Sequence, residues 1–130
     1  MNMDSKETKF GLFRFLKSFG YAAEGMKSVW ATEQNFRIHA CVGVIVFFLA
    51  YILSVSAMEW AVLIILVFTV LAFETMNTAI EKAVDLSVDE FHPLAKAAKD
   101  LASAAVLLFA ICTAIVGTII FLPKLLNLII

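Results

Sequence analysis

Trp60-Ala-Val-Leu-Ile-Ile-Leu-Val-Phe-Thr-Val-Leu-Ala-Phe73 runs without a helix breaker into Glu74-Thr-Met-Asn-Thr-Ala-Ile-Glu-Lys-Ala-Val-Asp85. A helix needs about 20 residues, rising roughly 1.5 Å each, to cross the hydrocarbon core of a bilayer. Counted from Trp60, that span ends near Ile80. Glu74 then stands inside the apolar slab, on the order of 9 Å from its nearer edge. An ionisable side chain at such a depth is a functional hypothesis by default. Glu74, Asn77, Glu81 and Asp85 are separated by three, four and four residues, which places them in one wedge of a helix at about 100° per residue. Three carboxylates and a carboxamide form one stripe that begins in lipid and runs out of it.

Composition places the rest of the chain in the same setting. Of 130 residues, 62% are apolar, and mean hydropathy is +0.95. A water-soluble domain carries closer to half apolar residues. The apolar blocks predict spans at about 38–58, 60–80 and 101–122. No cleavable signal peptide is expected, because the first apolar block begins late and the amino terminus is charged. Lys6, Lys9, Arg14, Lys17, Lys27 and Arg37 precede the first span. Lys82, Lys96 and Lys99 lie between the second and third, while the loop from Ser54 to Glu59 carries no Lys or Arg. The positive-inside rule predicts a cytoplasmic amino terminus and an outward carboxyl terminus. The formal net charge of −1 adds nothing to this, and no nucleic-acid partner is expected.

Before the first span, Phe10, Phe13, Leu16, Phe19, Ala23 and Met26 recur at helical spacing among Lys9, Arg14, Lys17 and Lys27. This predicts an amphipathic interfacial helix over about 10–29, basic face towards anionic headgroups. Residues 1–9 are polar and precede it. Glu33 stands at the cytoplasmic mouth of the first span and, taken alone, reads as a solvated charge. His39, at the span entrance, reads as a structural hydrogen-bonding residue. The loop from Leu86 to Lys99 carries Asp89, Glu90 and His92, and Pro93 suits the first turn of a third helix. Cys41 and Cys112 fall within apolar spans, where cysteine behaves as a small hydrophobe. The expected fold is a single all-α membrane domain over 1–130.

The chemistry is narrowed next. Five glycines do not compose a phosphate-binding loop or a dinucleotide turn, and no Cys/His cluster has zinc spacing. Carboxylates at a membrane edge, with lysine nearby, suit Mg²⁺ carrying phosphates. Phosphoryl transfer needs positioning, charge neutralisation and a base for the attacking hydroxyl. Glu81, nearer water, suits the metal. Glu74, in apolar surroundings, suits proton acceptance from a lipid hydroxyl, with Asn77 holding either partner. A polar stripe can also glue helices together or line an ion path. Spacing alone leaves enzyme, transporter and assembly subunit open.

The segment Glu74 to Asp85 resembles the E-x-x-N-[ST]-A-I-E-x-x-x-D signature of the small prokaryotic diacylglycerol kinases. Glu90-Phe-His-Pro-Leu-Ala-Lys-Ala-Ala-Lys-Asp100, Ala102-Ser-Ala-Ala-Val-Leu107 and Trp30 through Arg37 are similar to further parts of that family, in the same order over roughly residues 10–122. The resemblance implies a homotrimer of three-span subunits in the bacterial cell membrane, with an extra interfacial helix and a cytoplasmic-face site using ATP and Mg²⁺. By matching position it implies Glu74 as catalytic base, also touching substrate, and Glu33 and Glu81 as metal ligands. Arg14, Tyr21, Glu90, His92, Lys99 and Asp100 are implied as nucleotide contacts, supported by Asn77 and Asp85, and Ser103 as a lipid contact. His92-Pro-Leu-Ala-Lys96 and Phe121-Leu-Pro-Lys-Leu125 resemble the Gram-positive branch, which mainly phosphorylates undecaprenol. Glu24 departs from the lysine frequent in the diacylglycerol branch. The expectation is an ATP:undecaprenol phosphotransferase. Diacylglycerol is the alternative acceptor, and a non-enzymatic subunit or ion pathway is the alternative of another class.

Overall fold

The computed structural model describes residues 4–87 and 90–130, so Asp89 of the polar loop lies outside the described residues. Four helices follow in order: α1 (Asp4–Thr32), α2 (Gln34–Ile52), α3 (Ala57–Ser87) and α4 (Pro93–Ile129). No strand occurs among the described residues. The expected all-α class is met, and α2, α3 and α4 are each long and apolar enough to cross a membrane. The chain divides into two units, one ending at Thr32 and the other running from Glu33 to Ile130.

Within the first unit, α1 starts at Asp4, so helix takes in most of the polar residues expected to precede it. Leu12, Phe13, Leu16 and Phe19 are exposed along it. The Phe15 and Phe19 rings meet edge to face at 5.2 Å, and the Lys17 ammonium lies 5.7 Å from the Tyr21 ring centre.

In the second unit α3 is the central element, with α2 and α4 packed antiparallel against it. Paired residues run in opposite directions along the helices. Glu59 meets Lys124, Phe73 meets Phe109 and Asp85 meets Lys99 on α4. On α2, Phe47 meets Trp60, Gly43 meets Val67 and His39 meets Glu74. The buried residues of α3 are Leu63, Leu66, Val67, Val70, Glu74 and Thr78. They form one stripe at helical spacing, so Glu74 continues the inward face of the helix. At one end Ala50, Val55, Leu63 and Ile120 make a small core. Outward, Val44, Phe48, Ile65, Phe68, Leu107 and Leu108 are exposed, a surface suited to lipid or another apolar solvent.

Local chemistry sets the helix ends. α2 stops inside the first apolar block because Ser54 takes φ 49°. Val55 N–H then bonds to Ala50 C=O and Ser54 N–H to Tyr51 C=O, a Schellman closure with serine where glycine is usual. α3 opens with a capping box. Ser56 Oγ accepts from Glu59 N–H, and Glu59 Oε2 accepts from Ser56 N–H. Lys124 also reaches Glu59, at 3.1 Å. α4 begins with His92 as N-cap, its Nδ1 accepting from Leu94 N–H, and with Pro93 in the first turn as expected. Pro123 lies inside α4, and the helix continues through the tail to Ile129.

Candidate active site

Glu74 is 4% exposed. Its Oε1 lies 3.2 Å from Nε2 of His39, which projects from α2 and is itself part-buried. Thr78 Oγ1 donates to the Glu74 backbone carbonyl one turn on. A carboxylate at this depth needs a partner, since an uncompensated buried charge is strongly destabilising. Glu33 and Glu81 also lie within electrostatic range of Glu74. Glu33 sits at the start of the second unit in an extended conformation, φ −105° and ψ 113°, and its side chain does not cap α2. Glu33 is thus a third carboxylate of this neighbourhood.

From Glu74 the polar stripe continues along α3. Asn77 Nδ2 donates to Glu81 Oε1 at 2.9 Å, and Ser103 Oγ of α4 donates to Asn77 Oδ1 at 3.4 Å. Asn77 therefore uses both halves of its amide, one to fix a carboxylate and one to bind the neighbouring helix. A turn further, Lys99 Nζ pairs with Asp85 Oδ1 at 2.8 Å. Lys96 pairs with Asp100 along α4. Asp85, Glu90, His92, Lys96, Lys99 and Asp100 line a cleft of about 400 Å³ with Phe91 on its wall.

Ten of the twelve expected site residues thus belong to the second unit. Glu33, Glu74, Asn77, Glu81 and Ser103 form one neighbourhood, and Asp85, Glu90, His92, Lys99 and Asp100 line the cleft beside it. Arg14 and Tyr21 belong to α1 and lie at positions seven residues apart, on one face of that helix. Sequence reasoning missed two members. Lys96 stands in the cleft four residues before Asp100. His39, expected as a structural hydrogen-bonding residue, pairs with Glu74; besides Arg37 it is the only basic residue of α2, but the sequence does not say which position of α3 it meets.

A second cleft, of about 540 Å³, is apolar. It opens over Val70 of α3 between α2 and α4, with His39 and Val42 on one side and Gly117 and Phe121 on the other. Through His39 the Glu74 site therefore borders an apolar groove.

The oxygen donors near Glu74 suit a hard divalent cation. Glu33 and Glu81 are two carboxylates that act on the same buried group, and among the described residues no group of three or more His, Cys, Asp or Glu side chains is placed to hold a metal ion. Mg²⁺ takes one or two protein carboxylates and completes its sphere with phosphate and water, so the residues present fit that ion.

Together these features define a multi-pass helical membrane protein with a carboxylate site against an apolar groove. Residues 20–121 match the sequence profile of the family described as prokaryotic diacylglycerol kinase. The undecaprenol kinase of Bacillus subtilis is 45% identical over 123 residues, which cover 95% of this chain and 100% of that protein. A diacylglycerol kinase of Synechocystis is 47% identical over 114 residues, 87% of this chain and 65% of that protein. The diacylglycerol kinase of Escherichia coli K12 is 37% identical over 110 residues, 85% of this chain and 90% of that protein. The chain belongs to the prokaryotic diacylglycerol kinase family, as its signature residues predicted.

Proposed function

We propose that this protein phosphorylates undecaprenol, transferring the γ-phosphoryl group of ATP to the lipid hydroxyl at the cytoplasmic face of the bacterial membrane. The observation that carries the reading is Glu74: a buried carboxylate in a membrane-crossing helix, with two further carboxylates near it. It stands at the end of an apolar groove that includes His39. The likeness of almost the whole chain to the Bacillus undecaprenol kinase favours the polyprenol over diacylglycerol as acceptor.

The hydroxyl enters from the groove side and gives its proton to Glu74 as its oxygen attacks the γ-phosphorus. The bond from that phosphorus to the β,γ-bridging oxygen breaks, and ADP leaves. Glu33 and Glu81 would hold Mg²⁺, with Asn77 fixing the Glu81 carboxylate. When bound, the ion neutralises charge on the phosphate oxygens. Asp85, Glu90, His92, Lys99 and Asp100 receive the nucleotide in the charged cleft, where Lys99 supplies a cation for phosphate. The helix α1, which carries Arg14 and Tyr21, lies in the interface with its basic residues towards the headgroups. Ser103 contacts lipid and steadies Asn77. The subunit works as a homotrimer, with the exposed apolar faces of its helices shared between neighbours and lipid.

Purified protein in mixed micelles with labelled ATP, Mg²⁺, and undecaprenol and diacylglycerol at equal mole fraction tests this directly. Preferential labelling of undecaprenol is expected. Preferential labelling of diacylglycerol would keep the mechanism and change the acceptor. Labelling of neither lipid would return a non-enzymatic role to the front.

A further inference from the structure

We infer that His39 is a positioning residue for the catalytic carboxylate, setting the orientation of Glu74 rather than binding nucleotide or metal. The inference rests on Glu74 being the base of the reaction proposed above.

Three observations carry it. His39 Nε2 is 3.2 Å from Glu74 Oε1, a direct contact between two helices. The pair lies on the inward face of α3, continuous with Val70 and Thr78, so the carboxylate has packed neighbours on that side rather than water. The imidazole is also part of the wall of the apolar groove, so it stands between the entering lipid and the base. A carboxylate on a glutamate has free rotation about its terminal bond unless something fixes it. Engaging one oxygen with the imidazole fixes the plane of the group and directs the other oxygen. General-base catalysis requires hydrogen-bond reach of the proton to be removed, and small displacements are costly in rate. The charged groups facing the pair are Glu33 at the head of α2 and Glu81 two turns along α3. Both are acidic, whereas His39 brings a basic group to Glu74.

The packing also explains how His39 is held. Gly43 is one turn further along α2, and a Cβ there would fall 2.6 Å from Val67 Cγ1. The two helices approach closely beside the pair, and the register that seats Gly43 on Val67 seats His39 on Glu74.

The test compares His39→Gln, which keeps an N–H of similar reach, with His39→Leu, which keeps bulk and loses it. Thermal stability is measured alongside kcat and the KM values for ATP and lipid. His39→Leu is expected to lose kcat on the order of tenfold or more with both KM values within about twofold, and His39→Gln to recover most of the loss. Adding His39→Leu to Glu74→Gln is expected to cause no further loss, because the histidine acts through the glutamate. Full kcat in His39→Leu overturns the inference, as does an equal loss in the Gln and Leu variants at wild-type stability. If His39→Leu fails to fold, His39→Ala is assayed with added imidazole: recovery of kcat supports the inference and its absence overturns it. Activity in Glu74→Gln alone would instead overturn the base assignment, so the two failures are distinguishable.

Discussion

At the scale of single residues the site is a line of carboxylates with graded surroundings. Glu74 is buried against an imidazole, Glu81 is half-buried and held by Asn77, and Asp85 is exposed and paired with Lys99. That gradient suits the three tasks proposed for it: proton removal by Glu74, metal binding by Glu81 and nucleotide binding beside Asp85. Glu81→Ala and Glu33→Ala should each raise the Mg²⁺ concentration for half-maximal rate by about tenfold or more, because each removes one of two protein ligands. Mg²⁺ titration of the rate checks it, and wild-type titrations in both variants would reject the ligand assignment. The stripe from Glu74 to Asp85 was legible in sequence, because helical periodicity alone puts those positions on one face. His39 was not, because its contact with Glu74 depends on the register between α2 and α3. Nothing in the local sequence around residue 39 encodes that register, although Gly43 marks where the helices come close.

At the scale of elements, two positions report on how the helices are set. Val67 is β-branched and stiff on a helix, so it cannot swing away from a methyl group added to Gly43. Gly43→Ala should therefore destabilise the protein by about 1–3 kcal/mol, read as a fall in Tm in detergent. Because it disturbs the register beside His39 and Glu74, kcat should fall as well. Ser54 shows the opposite imbalance. It holds φ 49° where glycine would be relaxed, so Ser54→Gly should stabilise the protein by up to about 1 kcal/mol, raising Tm and leaving kcat unchanged. The third helix was legible at its start, where Pro93 follows the capping His92. Its end was not, since Pro123 usually signals a break, yet in an uninterrupted apolar context α4 runs on to Ile129.

At the scale of the whole molecule, three membrane-capable helices and the distribution of lysine and arginine support the proposal of a cytoplasmic amino terminus. The charged cleft and its lysines share an end of the second unit with the mouth of α2, and the turn from Leu53 to Ser56 lies at the other. With the lysine-rich end in the cytoplasm, a fluorescent protein fused after Ile130 should stay dark and an alkaline phosphatase fused there should be active. A bright fluorescent fusion would reverse the orientation and remove the cleft from the nucleotide pool. The fold class was legible from apolar block lengths, whereas the groove between α2 and α4 was not, because it arises from how both helices pack on α3 without closing over Val70.

The measurement closest to the central claim is the turnover of Glu74→Gln, which keeps the shape of the side chain and removes its capacity to take a proton. Paired with a nucleotide-binding titration of the same preparation, it should show lipid phosphorylation lost by at least about 10²-fold with ATP affinity preserved. Wild-type turnover by Glu74→Gln would contradict the account, since a carboxamide cannot take the proton that the account assigns to Glu74.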